Sequence, residues 1–268
     1  MRIARFIDGA GRECYGKPLG GGIAALLEGD IYEGLRETGV KEEIKKLLAP
    51  LVPPVIIGIG LNYHGHAEET DMKVPKYPVV FMKNPASLVH PEDPVIIPSV
   101  CMDPPEVDYE AELAVVIGKT AKNVSIGEAL CFVLGYTAAN DVSARRWQGG
   151  KGGGQWVRGK SFDTFCPLGP ELVTTEDIPD PQDLRISCRL NGQVMQDANT
   201  SDMIFTVAEL ISFLSSGTTL IPGTVILTGT PSGVGFTRKP PVYLSNGDIM
   251  EVSVENIGVL RNRVGEKS

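Results

Sequence analysis

Apolar residues fall along most of this chain in short, strand-like runs. Val55 to Ile59, Val79 to Lys83, Val95 to Ile97, Val107 to Ile117, Leu184 to Leu190, Thr224 to Leu227 and Ile249 to Val254 are rich in Val, Ile and Leu and bounded by Gly, Pro, Asn or Asp, which predicts strands. Helices are fewer, and are expected foremost at Ile126 to Leu134 and Val207 to Ser215. Residues 1–50 read as a small unit of their own. There Arg2 to Ile7 alternates as a strand, Gly9 to Gly11 supplies a turn, and the charged segment Lys41 to Leu48 is expected to be a helix stopped by Pro50. A larger body, residues 51–268, carries the motifs and opens at Pro53-Pro54. Neither a fixed-period repeat nor a regular alternation of strand and helix is present, which argues against a TIM barrel or a doubly wound sheet. The expected class is mostly β, of the α+β kind.

Composition adds turns and charge to this picture. Of 268 residues, 31 are Gly and 20 Pro, without the period of collagen, so many tight turns join short strands. The net charge of -8 gives no global attraction for nucleic acid or anionic lipid, and an anionic ligand must be captured by a local positive site. Five cysteines are widely spaced, with no C-x-x-C pair; idle thiols in a reducing compartment are expected. The first residues lack the apolar core of a secretory signal, Asp8 and Glu13 argue against a transit peptide, and Val55 to Leu61 is too short to span a bilayer. These features together give a cytoplasmic expectation. The glycine run Gly149 to Gly154 is expected to be a mobile loop, and a lid over bound substrate.

Candidate chemistry begins with acids. In a strand over Val107 to Ile117, residues two apart share a face, so Asp108, Glu110 and Glu112 stand side by side and lead into an apolar run. Such carboxylates need a positive partner. An Arg or Lys is the commoner one, but Asp141, after the largely apolar stretch Val133 to Asn140, can complete an all-oxygen half-shell. That donor set suits Mg²⁺ or Mn²⁺ and not zinc. His66 and Glu69 at i and i+3 would face each other on a helical turn, making His66 a candidate general base. His64 with Glu68 stands as the alternative, and a surface His with a chance neighbour as the plainer one.

Gly154 to Ser161 matches the phosphate-cradling pattern G-x-x-x-x-G-K-[ST], yet a glycine run precedes it and no helical spacing follows. Lys160 therefore reads better as a cation offered to a small anion. Gly229 to Gly235 reads as a tight loop after a strand, whose backbone N–H groups can hold a carboxylate.

Several ordered blocks point to one family. Gly60-Leu61-Asn62-Tyr63 with His66 and Glu69, DYEAELAVVIGK (108–119), ANDVSAR (139–145), GKSFDTFCPLGP (159–170) and LTGTPSGVG (227–235) resemble the fumarylacetoacetate hydrolase (FAH) superfamily from about Val55 onward. DVSARRWQ, GQW and RKPPVYL resemble most its FAH domain-containing protein 2 subgroup. The resemblance implies an FAH-type mixed β-roll with a small N-terminal domain, a homodimer, and Mg²⁺ as cofactor, with Mn²⁺ or Ca²⁺ as substitutes. It places metal ligands at Glu110, Glu112 and Asp141. His66, Glu69 and Lys160 take the catalytic positions, and Arg145, Gln148 and Thr230 contact substrate. The implied substrate is a small 2-oxo or diketo dicarboxylic acid reacting through an enolate. Oxaloacetate keto-enol tautomerisation leads; acylpyruvate or fumarylpyruvate hydrolysis, oxaloacetate decarboxylation, ring-cleavage-pathway isomerisation, ureidoglycolate lyase activity and a silent binding protein are the alternatives.

Overall fold

The structure, a computed structural model, describes residues 1–265; residues 266–268 of the expected larger body lie outside it. Strands dominate, as the spacing predicts. The first five are β1 (Arg2–Ile7), β2 (Glu13–Gly20), β3 (Ile23–Asp30), β4 (Gly34–Glu43) and β5 (Lys46–Leu48). After β6 (Ile56–Gly60) comes the short helix α1 (His64–Glu69), then β7 (Val79–Lys83), β8 (Leu88–Val89), β9 (Val95–Ile96), β10 (Val107–Asp108) and β11 (Ala111–Ile117). Next are β12 (Val133–Asn140), β13 (Ser143–Ala144), α2 (Arg145–Gln148), α3 (Trp156–Lys160) and β14 (Cys166–Thr174). The chain continues through β15 (Arg185–Leu190), β16 (Gln193–Asn199), α4 (Val207–Ser215), β17 (Val225–Leu227), β18 (Ile249–Val254) and β19 (Gly258–Gly265).

One mixed sheet runs in the order β4-β3-β2-β1-β14-β12-β11-β17-β6-β7, with β5 on β1 and β8 on β14; a second runs β16-β15-β18-β19-β9. Strand β11 of the first sheet is buried along its whole length, and its Leu113, Val115 and Ile117 share one apolar core with Ile186, Met250, Val252 and Leu260 of the second sheet. The N-terminal strands are thus joined to the body through β1, whose Ile3 pairs with Leu172 of β14. At the other end, Gly58 on β6 lets the Phe81 ring lie close, since a Cβ there would stand 2.2 Å from it.

Three local expectations are corrected. Lys41 to Leu48 is not a helix: it ends β4 and forms β5, because Glu42 pairs with Ala24 and Leu47 with Phe6, and sheet pairing overrides the helical preference of its charged residues. Ile126 to Leu134 is a 3-10 helix over Ile126–Phe132 that gives way to β12 at Val133. The third correction matters for function. Val107 to Ile117 is two strands, broken at Tyr109 and Glu110: β10 pairs with β13, whereas β11 pairs with β12 and β17. Helix α4 forms where spacing placed it, capped by Thr206 and Glu209 in a reciprocal box that satisfies its first amides.

Candidate active site

The break between β10 and β11 and the register of β11 with β12 assemble the acids. Ala111 pairs with Asn140 and Glu112 with Ala139, so Asp141, just past the end of β12, lies beside Glu110, whose carbonyl accepts the Asp141 N–H at 2.9 Å. Asn140 Oδ1 accepts the Glu110 N–H at 2.9 Å and fixes the bend. Carboxylate oxygens of Glu110, Glu112 and Asp141 then lie within 4.8 Å of one another, all three residues buried. Asp108, expected beside them, instead turns to the Gly235 and Phe236 N–H groups at 2.8 and 3.0 Å and to Arg145 Nε at 2.9 Å.

Two buried lysines and the partly buried Arg145 surround this cluster. Arg145 Nη1 donates to Glu110 Oε1 at 2.5 Å, Lys160 Nζ to Glu110 Oε2 at 2.6 Å and also to Asp141 Oδ2, and Lys83 Nζ to Asp141 Oδ1 at 2.6 Å. Among the described residues, Glu112 Oε2 accepts only the Gly229 N–H, at 2.7 Å. Burial raises the Glu110 carboxyl, but the Lys160 ammonium and the Arg145 guanidinium outweigh it and hold that carboxyl below its ordinary range. Burial together with the charges of Asp141 and Glu110 pushes the Glu112 carboxyl well above its own. Lys160 is the converse case: burial opposes its charge, and Asp141 and Glu110 more than restore it. Four carboxylates, Asp108, Glu110, Glu112 and Asp141, thus face three cations, Lys83, Arg145 and Lys160. Glu112 is the one of these four acids to which, among the described residues, no cationic side chain is bonded, and its proton is the one a cation would displace. An all-oxygen donor set with one more acid than cations fits a divalent cation.

Across the cavity, α1 presents its imidazole. His66 Nδ1 is 2.6 Å from Glu69 Oε1, and Glu69 Oε2 accepts the Gly233 N–H at 2.9 Å and the Thr237 hydroxyl at 3.1 Å. Burial raises the Glu69 carboxyl, but the bonds from His66 and Gly233 outweigh it and keep it low, so Glu69 stays ionised. His66 is buried and lines the cavity; His64 is exposed and does not. The structure thereby separates the two histidines that spacing left open.

The cavity has a volume of about 430 Å³, and Glu110, Lys160, Arg145, Gln148, Thr230 and His66 all contribute to its wall. Apolar lining comes from Ile59, Leu61, Met72, Phe81, Trp156 and Phe236, and the glycine run contributes Gly149, Gly150 and Gly154. Arg145 stacks 4.4 Å from the Phe236 ring and accepts no other geometry easily, since Gln148 Oε1 also takes its Nη1 at 3.0 Å. Thr230 Oγ1 donates to the Ala111 carbonyl at 2.9 Å and accepts from Gln196 Nε2 at 2.7 Å.

Two sequence readings change in detail. The phosphate-loop pattern is not a phosphate loop: its lysine closes the five-residue helix α3 and is buried against carboxylates, where a phosphate-binding lysine opens a helix. The Gly229 to Gly235 loop does hold carboxylates with its backbone N–H groups, but they are the protein's own Glu112, Glu69 and Asp108. Lys83, Gln196 and the Asp108–Arg145 pair went unnoticed in the sequence. For Lys83 a signal existed, since Phe81 and Lys83 share a face of the apolar strand β7 and both are buried.

Residues 55–265 match the fumarylacetoacetate (FAA) hydrolase C-terminal family. The chain is 50% identical over 218 residues to the mitochondrial oxaloacetate tautomerase FAHD2A of Bos taurus, covering 81% of this chain and 68% of that protein, and 49% identical over the same coverage to the Homo sapiens FAHD2A of the same description. Among solved structures it resembles the fumarylacetoacetate hydrolase of Exiguobacterium antarcticum, with a TM-score of 0.87, 36% identity and full coverage of both chains. The 5-carboxymethyl-2-hydroxymuconate delta-isomerase of Mycobacterium smegmatis superposes with a TM-score of 0.86 at 37% identity, again over both whole chains. These relatives correct the cytoplasmic expectation, because the FAHD2 proteins are named as mitochondrial. Compartment addresses are read by receptors and not by the chemistry of a folded body, so charge and idle thiols were no guide to it.

Proposed function

The chain belongs to the fumarylacetoacetate hydrolase family, and from that premise we propose that it is a Mg²⁺-dependent oxaloacetate keto-enol tautomerase. One observation carries the reading: a single cavity is lined both by His66, an imidazole oriented by Glu69, and by Glu110, a member of a buried acid cluster suited to a divalent cation. The names of the FAHD2 relatives supply the substrate. Glu110, Glu112 and Asp141 would hold the cation, which supplies Lewis-acid polarisation of a 2-oxo carbonyl. Lys160 and Arg145 bring positive charge to a dianionic substrate in a protein of net charge -8. With Nδ1 fixed by Glu69, His66 Nε2 is the atom left to take a proton from C3 of the keto acid, and the C2 oxygen gains one as the enol forms. Thr230, held by Gln196 and Ala111, and Gln148 flank the same space and orient the carboxylates.

A Mg²⁺-supplemented panel of oxaloacetate, acylpyruvates, fumarylpyruvate and ureidoglycolate, followed by NMR, tests this. The expected result is faster exchange between the oxaloacetate tautomers with no cleavage product. Pyruvate release from oxaloacetate, or cleavage of an acylpyruvate at a higher kcat/KM, would replace the tautomerase reading with a decarboxylase or hydrolase.

The protein is further proposed to be a homodimer, on the apolar face of edge strand β7. Val80 and Met82 are exposed on one face of it and Val79 at its start, close in the fold to the exposed Val157 of α3, and an unpaired apolar edge calls for a partner. Light scattering should return twice the chain mass for the parent and a monomer for Val80→Glu/Met82→Glu; a monomeric parent would refute it.

A further inference from the structure

Each of the three acids has one oxygen engaged by a donor that the fold holds in place. Glu110 Oε1 accepts from Arg145 at 2.5 Å, Glu112 Oε2 from the Gly229 N–H at 2.7 Å, and Asp141 Oδ1 from Lys83 at 2.6 Å. The second oxygens are placed differently. Glu110 Oε2 and Asp141 Oδ2 both meet the ammonium of Lys160, a residue of the cavity wall. Among the described residues no donor reaches Glu112 Oε1.

Lys83 and Lys160 therefore have separate tasks. The Lys83 side chain is wholly buried, its other contact is the Val142 carbonyl at 3.3 Å, and it is not among the described residues that line the cavity. Its backbone is fixed in the central sheet, where it pairs with Ile56 of β6. A group so placed, off the cavity wall and bonded to Asp141, bears on the centre through Asp141.

We propose that Lys83 is a positioning residue that keeps Asp141 a one-oxygen ligand and so biases the centre towards a small divalent cation, Mg²⁺ or Mn²⁺, over Ca²⁺. The proposal rests on the reading of Glu110, Glu112 and Asp141 as ligands. Ca²⁺ gathers roughly six to eight oxygens and often takes both from one carboxylate, whereas Mg²⁺ demands a near-octahedral set with one oxygen from each. With one oxygen of every acid committed to a donor held by the fold, the cluster has three second oxygens left for a cation: Glu112 Oε1, and Glu110 Oε2 and Asp141 Oδ2 once the Lys160 ammonium that meets both gives way. Removing the Lys83 ammonium frees Asp141 Oδ1 and lets a larger cation use both. It also adds net negative charge, which strengthens binding of every divalent cation, so the ratio of affinities isolates the geometric effect.

Calorimetric titration of the metal-free full chain with MgCl₂ and with CaCl₂ tests this in the parent and in Lys83→Met, a substitution of similar volume without a donor. The ratio Kd(Ca²⁺)/Kd(Mg²⁺) should fall by about tenfold or more in the variant, the scale on which residues behind a ligand tune affinity; an unchanged ratio overturns the role given to Lys83. Failure of the parent to bind Mg²⁺ would overturn the ligand assignment itself. A second arm needs no variant: crystals of the parent grown with MgCl₂ should have Asp141 on the cation through Oδ2 alone with Lys83 still on Oδ1. Ligation through both Asp141 oxygens would refute the proposal.

Discussion

Glu112→Gln is expected to leave the protein folded while abolishing its response to Mg²⁺. Of the three clustered acids, Glu112 is the one to which, among the described residues, no cationic side chain is bonded and Gly229 N–H is the sole donor. Burial and the neighbouring charges of Asp141 and Glu110 already favour its neutral form, and a glutamine carbonyl can accept the same N–H. Metal-free Glu112→Gln should therefore melt at or above the parent. The sign follows from linkage: a carboxyl whose pKa is raised on folding holds a proton that the unfolded chain gives up, so it costs stability as pH rises above the ordinary carboxylate range. The advantage of the variant should widen as pH rises above the ordinary carboxylate range. Mg²⁺ should raise the melting temperature of the parent and not of the variant. Turnover should fall by more than about 100-fold, since loss of a residue merely behind a ligand costs about 10- to 100-fold. A variant that kept the Mg²⁺ shift would remove Glu112 from the ligand set. Asp141→Ala is a poorer probe. It strips the carboxylate from two buried ammoniums, Lys83 and Lys160, and breaking such pairs costs about 3–5 kcal/mol.

His66→Ala should separate proton transfer from metal binding. His66 makes no hydrogen bond to the acid cluster; its ring bonds to Glu69, so the Mg²⁺ shift in melting temperature should persist while kcat falls by about 10²- to 10⁴-fold, the usual contribution of a positioned acid-base group. His64→Ala, at an exposed position, should match the parent in both. An unchanged kcat in His66→Ala would move the proton to another residue.

The parts of this site that spacing could reach are those set by local geometry. Glu110 and Glu112 share a face because residues two apart in extended chain do so. His66 and Glu69 meet because one helical turn brings i and i+3 together, and α1 is barely longer than that turn. Asp108 shows where that reasoning stops. Its spacing from Glu110 is the same as that of Glu110 from Glu112, yet the chain bends between them, because β10 finds its partner in β13 and β11 finds two others. The helix expected at Lys41 to Leu48 failed for the same reason, its backbone groups being claimed by β3 and β1.

Spacing and residue type alone were enough for a mostly β protein, a set of acids in need of a cation, and an imidazole with its carboxylate. The family was legible too, but through the resemblance of whole ordered blocks such as DYEAELAVVIGK and LTGTPSGVG to the fumarylacetoacetate hydrolases. Register and burial were needed for everything that turns those residues into one centre. The β11–β12 ladder carries Asp141 to Glu110 across some thirty residues, and the β6–β7 pairing drives Lys83 under Asp141 across nearly sixty. Such meetings depend on which strands pair over the whole sheet, and no local period records that choice.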